Sequence, residues 1–298
     1  MKKHKICKIL LVILAILLCV AFYELLGICI AYKKQPEVSN TTKKETKNGS
    51  WNECSENTER AVIIEKNPEA LLQRVRLIQN AKEEIILSTF AFKSDESGKL
   101  ILGALHDAAD RGVHIRLLVD GMESWIDMEG NPYFYGLSSH ENVEIKLYNK
   151  ANPLKPWKMM GRMHDKYLIA DGKTYILGGR NTYNYFLGDF PGHKNYDRDV
   201  LVVCNEPEKE NSVNQLLDYF ETIWDQEDSG YFHNNKKLAN RKYVKSFLLY
   251  WQFFYVWLFM NCSESALHIK SSRKCPIQPK KKQKMGHGTN AVKIQNGQ

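Results

Sequence analysis

Residues 163–181 read MHDKYLIADGKTYILGGRN, and two short apolar runs joined by an Asp-Gly pair in this stretch decide the fold. Tyr167 to Ala170 and Thr174 to Leu177 are short apolar runs that suit strands. Asp171-Gly172 between them is a pair that accepts left-handed backbone and closes tight hairpins. The stretch is therefore a strand, a turn and a returning strand. His164 and Lys166 are two apart at the head of the first strand, so they project from one face. Gly178-Gly179 ends the second strand and lets backbone approach closely, which returns Asn181 to the neighbourhood of His164. Written as a pattern, the stretch is H-x-K-x4-D-x6-G-G-x-N.

Upstream, Ile85 to Phe92 reads as a strand and Leu100 to Ala109 as a helix with Leu100, Leu102, Leu105 and Ala109 inward. Arg111-Gly112 ends that helix, and His114 to Val119 is a second strand running into a turn at Asp120-Gly121. Strand, helix and strand with short joins form a βαβ unit, which implies parallel strands and the α/β class. Before it, Asn67-Pro68 opens a helix, with Asn67 as its cap and Leu71, Leu72, Val75 and Ile78 on its apolar side. Val143 to Tyr148 and Val200 to Cys204 are further strands, and Asn211 to Trp224 is a closing helix.

The residue types at 164–181 suit phosphodiester chemistry. Imidazole is a nucleophile of moderate pKa, a lysine supplies fixed positive charge for phosphoryl oxygens, and an asparagine amide adds a neutral donor. A single histidine or lysine is usually an ordinary surface residue, and a Gly pair is usually a turn. Their fixed register in a strand-turn-strand behind a βαβ unit is what points to function.

Through this motif the chain resembles the phospholipase D superfamily, whose signature is the HKD motif. The likeness spans roughly residues 60–228. Ile85 to Phe92, Ser97-Gly98, Ala108-Ala109-Asp110-Arg111-Gly112-Val113 and Leu118-Val119-Asp120-Gly121 are similar to the first half of bacterial cardiolipin synthases. The resemblance implies a mixed β-sheet flanked by helices and a two-step reaction through a phosphohistidine, with no metal and no cofactor. It implies that His164 is nucleophile or acid, that Lys166 and Asn181 bind phosphate beside Gly179, and that Asp171 organises the motif. It also implies that Asp199, opening the strand at Val200, orients the imidazole. Most members carry two motif copies, whereas this chain carries one. A two-histidine reaction then requires a homodimer, or the chain is a non-catalytic half of an enzyme.

The 298 residues carry a formal net charge of +8, unevenly spread. Residues 1–50 hold nine Lys against three Glu, and residues 233–298 hold thirteen Lys or Arg against one Glu. The middle, 51–232, has twenty basic and thirty acidic residues, a net of −10. An acidic globular part is a poor partner for nucleic acid, so an anionic phospholipid is the expected substrate ahead of a nuclease's. The seven cysteines include no C-x-x-C pair and none at zinc-ligand spacing with histidine. Neither a disulfide framework nor a metal site is expected.

Lys2, Lys3, Lys5 and Lys8 precede an apolar run from Ile9 to Tyr32 that is interrupted only by Glu24. It is long enough to span a bilayer, and no small-x-small cleavage site follows it. Residues 1–34 are read as a single-pass anchor and 35–60 as a polar linker. Residues 61–230 are the catalytic domain, and 231–298 a basic tail that is solvated or touches anionic headgroups. Lysines on both sides of the run leave its orientation open. The charged start, like that of a signal peptide, favours a catalytic domain outside the cytoplasm. Phe247 to Met260 is apolar but short for a span.

Overall fold

The computed structural model describes residues 2–33, 40, 43–44, 59–158, 160–206, 209, 211–235 and 237–238. The Phe247–Met260 run, most of the linker and nearly all of the basic tail lie outside the described residues.

The βαβ unit forms as the sequence implies. Strand β2 (Glu84–Thr89) leads through helix α3 (Glu96–Asp110) to β3 (His114–Asp120), and the two strands pair in parallel. Helix α3 is capped by Asp95, whose carboxylate accepts from Gly98 N at 3.0 Å, so it begins at Glu96, four residues before the apolar run. Strand β2 ends three residues before Phe92, because the chain leaves the sheet there and Phe92 bridges Thr182. Strand β4 (Val143–Tyr148) continues the parallel set beside β3.

The hairpin of β5 (Lys166–Ala170) and β6 (Thr174–Gly178) lies antiparallel against β2. Asp171 and Gly172 have φ of 51° and 57° and form the left-handed centre of the turn closed by Lys173 N to Ala170 O at 3.1 Å, in a three-residue loop between the paired Ala170 and Thr174. Strand β7 (Asp199–Cys204) adds to β6, and β1 (Glu59–Ile64) adds to β7. With β8 (Ser229–Tyr231) on the far edge, the order is β1-β7-β6-β5-β2-β3-β4-β8, a mixed eight-stranded sheet.

Side chains alternate across this sheet and build two cores. On one face Ile85, Leu87, Leu117, Val119 and Leu168 meet helix α2 (Asn67–Asn80) and α3. On the other, Ile86, Leu118, Ile169 and Val202 meet α6 (Ser212–Trp224) through Val213, Phe220 and Trp224. Two short helices that the sequence reading did not foresee, α4 (Gly121–Met128) and α5 (Pro132–Ser138), fill the join between β3 and β4.

Helix α1 (Lys2–Lys33) precedes the sheet, and its segment Lys5–Lys33 is long and apolar enough to cross a membrane. Cys7, Cys19, Cys29 and Cys204 are free thiols.

Candidate active site

The strand registers gather the chemistry at one edge of the sheet. Thr89 pairs with Lys166, Gly178 with Asp199, and Ile64 with Asp199, while Asp120 pairs with Tyr148. The carboxyl ends of the three parallel strands thus share an edge with the start of β5 and the end of β6. In open α/β sheets this is the edge where ligands bind.

His164 lies two residues before β5, since the strand proper begins at Lys166. Its ring is exposed and rests edge-on against Phe90, centroids 4.7 Å apart. Among the described residues it makes no hydrogen bond to the protein. The segment that carries it is held by Asp120. This buried carboxylate caps α4 through Met122 N at 3.1 Å and Glu123 N at 3.0 Å. It also accepts from Met163 N at 3.2 Å and takes the Arg162 guanidinium at 2.6 Å. Sequence reading took Asp120-Gly121 for a turn alone and missed this clamp.

Lys166 is buried, with Nζ donating to the His164 carbonyl at 2.6 Å and standing 5.4 Å from the Phe90 ring centre. Burial pushes its pKa down, against the opposing pull of Asp165 and Asp197. An ammonium in that position gains more than a solvated lysine from an arriving phosphate. Asn181 is buried, and its Oδ1 accepts from Ala91 N at 3.3 Å. The Ala91 N–H fixes which way the amide points and leaves the NH2 as a donor for a ligand. Thr182 N donates to Ala91 O at 3.0 Å, which ties the 181–182 segment to the chain leaving β2.

The glycine pair has a steric reason. A Cβ on Gly178 would meet the Asp199 carboxylate and the Arg198 carbonyl, and one on Gly179 would meet the Asp197 carboxylate. Two acidic residues therefore pack directly on this backbone.

Two expected site residues sit elsewhere. Asp199, expected to orient the imidazole, makes no hydrogen bond to His164 among the described residues. Its Oδ2 is paired with Arg74 at 2.8 Å and Arg180 at 3.2 Å, all three side chains being buried. Two guanidiniums claim a carboxylate more strongly than a neutral imidazole can. Its Oδ1 is buried with no partner among the described residues. Arg180 also donates to Asn67, Ile64 O, Glu65 O and Asp197 O, so the group knots β1, α2 and β7 together. Asn67, expected as a helix cap, instead turns its side chain into this knot and to Asn195 O, and Lys66 caps α2 with no side-chain bond.

Asp171 stands at the opposite end of β5, about 16 Å from Lys166 at strand rise. Its carboxylate accepts from the backbone of Lys82, Glu83 and Glu84 and anchors the start of β2. The carboxylate on the site's own side is Asp197, which sequence reading passed over. It is half-buried, packs against Gly179 and lies close enough to Lys166 to oppose its deprotonation. Its signal was present in the alternation of Asp197 and Asp199, but spacing could not say which of the two faces Lys166. Among the described residues, no group of three His, Cys, Asp or Glu side chains is placed to hold a metal ion.

Residues 74–224 match the family described as "Cardiolipin synthase, PLD-like domain", and the chain belongs to this phospholipase D-like family. It is 29% identical to cardiolipin synthase C of Escherichia coli over 154 residues, which cover 47% of this chain and 31% of that protein. It is 34% identical to cardiolipin synthase 1 of Staphylococcus aureus over 129 residues, 43% of this chain and 25% of that one. The chain thus spans about a quarter to a third of the length of the curated relatives it matches. Among solved structures, Nuc of Salmonella typhimurium, a phospholipase D family member, is similar with a TM-score of 0.42 and 20% identity. That match covers 59% of this chain and 99% of Nuc.

Proposed function

We propose that the chain is a membrane-anchored phospholipase D-type phosphodiesterase or phosphatidyltransferase, cardiolipin synthase-like, acting on anionic phospholipid. The observation that carries this reading is the exposed, unbonded imidazole of His164 beside the desolvated ammonium of Lys166. In this reading an imidazole nitrogen of His164 attacks phosphorus, and the bond to the departing alcohol oxygen breaks. A second imidazole gives that oxygen its proton. Water or another alcohol then attacks the phosphohistidine and yields its proton to the second imidazole as the P–N bond breaks. Lys166 and the Asn181 amide hold the phosphoryl oxygens over Gly179, and Asp197 favours the charged form of Lys166. No cofactor enters the scheme.

The chain has one such motif, and attack and departure are roughly in line, so one imidazole cannot serve both sides. The second His164 comes from a second copy of the chain, because an isologous interface brings the same patch from both subunits together. Helix α1 is the single-pass anchor in the cell membrane, and the globular part lies outside the cytoplasm.

The test is to incubate the full chain in phosphatidylglycerol vesicles labelled at phosphorus and trap protein-bound label after rapid quenching. Acid-labile, base-stable label that vanishes in His164→Ala supports the reading, as does survival of turnover in EDTA. Mixing wild type with excess His164→Ala should depress activity beyond simple dilution. A strictly proportional fall refutes the dimer, and an inactive monomer supports the half-enzyme alternative.

A further inference from the structure

In helix α1 from Lys5 onward, Gly27 is buried and Glu24, Ile28 and Ala31 are half-buried, while the other residues are exposed. The spacing of these four places them on one helical face. That face meets the loop joining β4 to β5. A Cβ on Gly27 would lie 2.6 Å from Pro156 Cγ and 3.3 Å from Trp157 N, so the helix backbone rests directly on this loop. Tyr23 adds a hydrogen bond from its hydroxyl to Leu154 O at 3.0 Å. Pro156 is buried by the contact, while Leu154, Trp157 and Met160 around it remain exposed, Leu154 at 78%.

Gly27 lies six residues before Lys33, about 9 Å inside the end of the helix at α-helical rise. Interfacial elements bury their apolar faces about 5–10 Å into the headgroup and acyl boundary. The part of the loop seated at Gly27 is therefore at that depth whenever α1 spans a bilayer, and Leu154, bonded to Tyr23 about 15 Å inside that end, lies deeper. Its composition suits the place: Trp157 is an interfacial residue, Leu154 and Met160 are apolar, and Lys155 can carry its charge up to the headgroups.

We propose that this loop is a bilayer-inserting element, docked on the anchor, that holds the candidate site against the lipid surface. The inference rests on α1 crossing the membrane and deepens the lipid-substrate reading. Met160 is four residues from His164, a chain reach of about 13 Å, so a phospholipid could meet the imidazole without leaving the bilayer plane. Exposed apolar side chains that would be a liability in water become contact surface in the interface.

The test uses the full chain in vesicles of phosphatidylcholine with one-quarter phosphatidylglycerol, with and without bromine on the upper acyl chain. The Trp157 emission is taken as the difference between wild type and Trp157→Phe. It should lose roughly half or more of its intensity to the bromolipid, since the indole sits at the acyl boundary. Gly27→Leu keeps a good helix former in α1 but displaces the loop, and should abolish most of that quenching while the chain stays in the carbonate-washed membrane. Trp157 quenched only by aqueous acrylamide overturns the proposal, as does Trp157 shielded from both quenchers, which would mean that a second protein chain covers it. Extraction of the wild-type chain by carbonate overturns the anchor and the inserted loop together. A membrane-retained chain with an unquenched Trp157 overturns the loop alone and leaves the lipid-substrate reading standing.

Discussion

The two ends of β5 treat their polar groups in opposite ways. At the Asp171 end, one carboxylate accepts three successive backbone N–H groups at 82–84. At the Lys166 end, the His164 ring is bonded to nothing among the described residues, and the Asn181 amide has its acceptor used and its NH2 free. Both ends belong to one sequence pattern. The difference teaches that such a pattern mixes two kinds of residue: those that complete the hairpin, and those the hairpin leaves incomplete for a ligand. Buried or half-buried donors left unsatisfied by the protein cost stability unless something arrives to meet them.

The largest expected effect breaks the open end. His164→Ala should lower phosphodiester turnover on the order of 10⁴-fold and leave the thermal midpoint unchanged, because the ring packs only edge-on against Phe90. A turnover within tenfold of wild type, measured on the full chain in lipid, would remove His164 from the chemistry.

The next tests the buried knot beside the site. Arg74→Met takes one guanidinium from Asp199 while Arg180 remains. Breaking a buried pair costs about 3 kcal/mol, which lowers the melting midpoint by roughly 6–12 °C for a domain of this size. An unchanged midpoint by calorimetry would show that Arg180 alone satisfies the carboxylate.

A smaller effect belongs to the closed end. Asp171→Ala removes an acceptor from partly solvated N–H groups and puts alanine at positive φ, so a loss of about 1–2 kcal/mol is expected. Asp171→Asn keeps an acceptor and tolerates the left-handed backbone, and should recover most of it. Chemical denaturation of both variants reads this directly. If instead the alanine variant folds like wild type but loses turnover, the contrast between the two ends fails.

Much of this was legible in the sequence, for particular reasons. The hairpin was readable because Asp171-Gly172 is a local signal with a local cause. The βαβ unit was readable because apolar runs of distinct period sit between short joins. Strand β1 was missed because Glu59 and Arg60 look like linker, and of its apolar residues only Ile64 is buried, the rest being held by edge pairing with β7. Helix α5 carried the same Asn-Pro signal as α2, in Asn131-Pro132, and Asn131 does cap it through Tyr133 N. The ion pairs of Asp199 are hidden from any local reading. Its partners Arg74 and Arg180 are 125 and 19 positions away, and Arg74 lies on the same helix face as Leu71 and Val75, where a charge is not expected. A buried charge is placed by its partners, and those are known only once the fold is.

The smallest expected effect sharpens the comparison by pH. Burial holds the Lys166 ammonium below the ordinary lysine range. Lys166 would have to be charged to hold a phosphoryl oxygen, so turnover should fall on the alkaline side at a lower pH than a solvated lysine allows. Lys166→Arg keeps the charge far into alkali and should remove that limb, even if the altered geometry lowers the plateau. The same shift has a sign for stability. With the native pKa below the unfolded one, the unfolded chain binds more protons at this site between the two values. The contribution of Lys166 to stability therefore rises with pH across that window, opposite to a lysine gaining an acidic partner. Denaturation of wild type and Lys166→Met at several alkaline pH values separates the cases. A wild-type stability that gains on the methionine variant as pH rises supports a desolvated ammonium, and one that loses ground would mean that Asp165 and Asp197 outweigh burial.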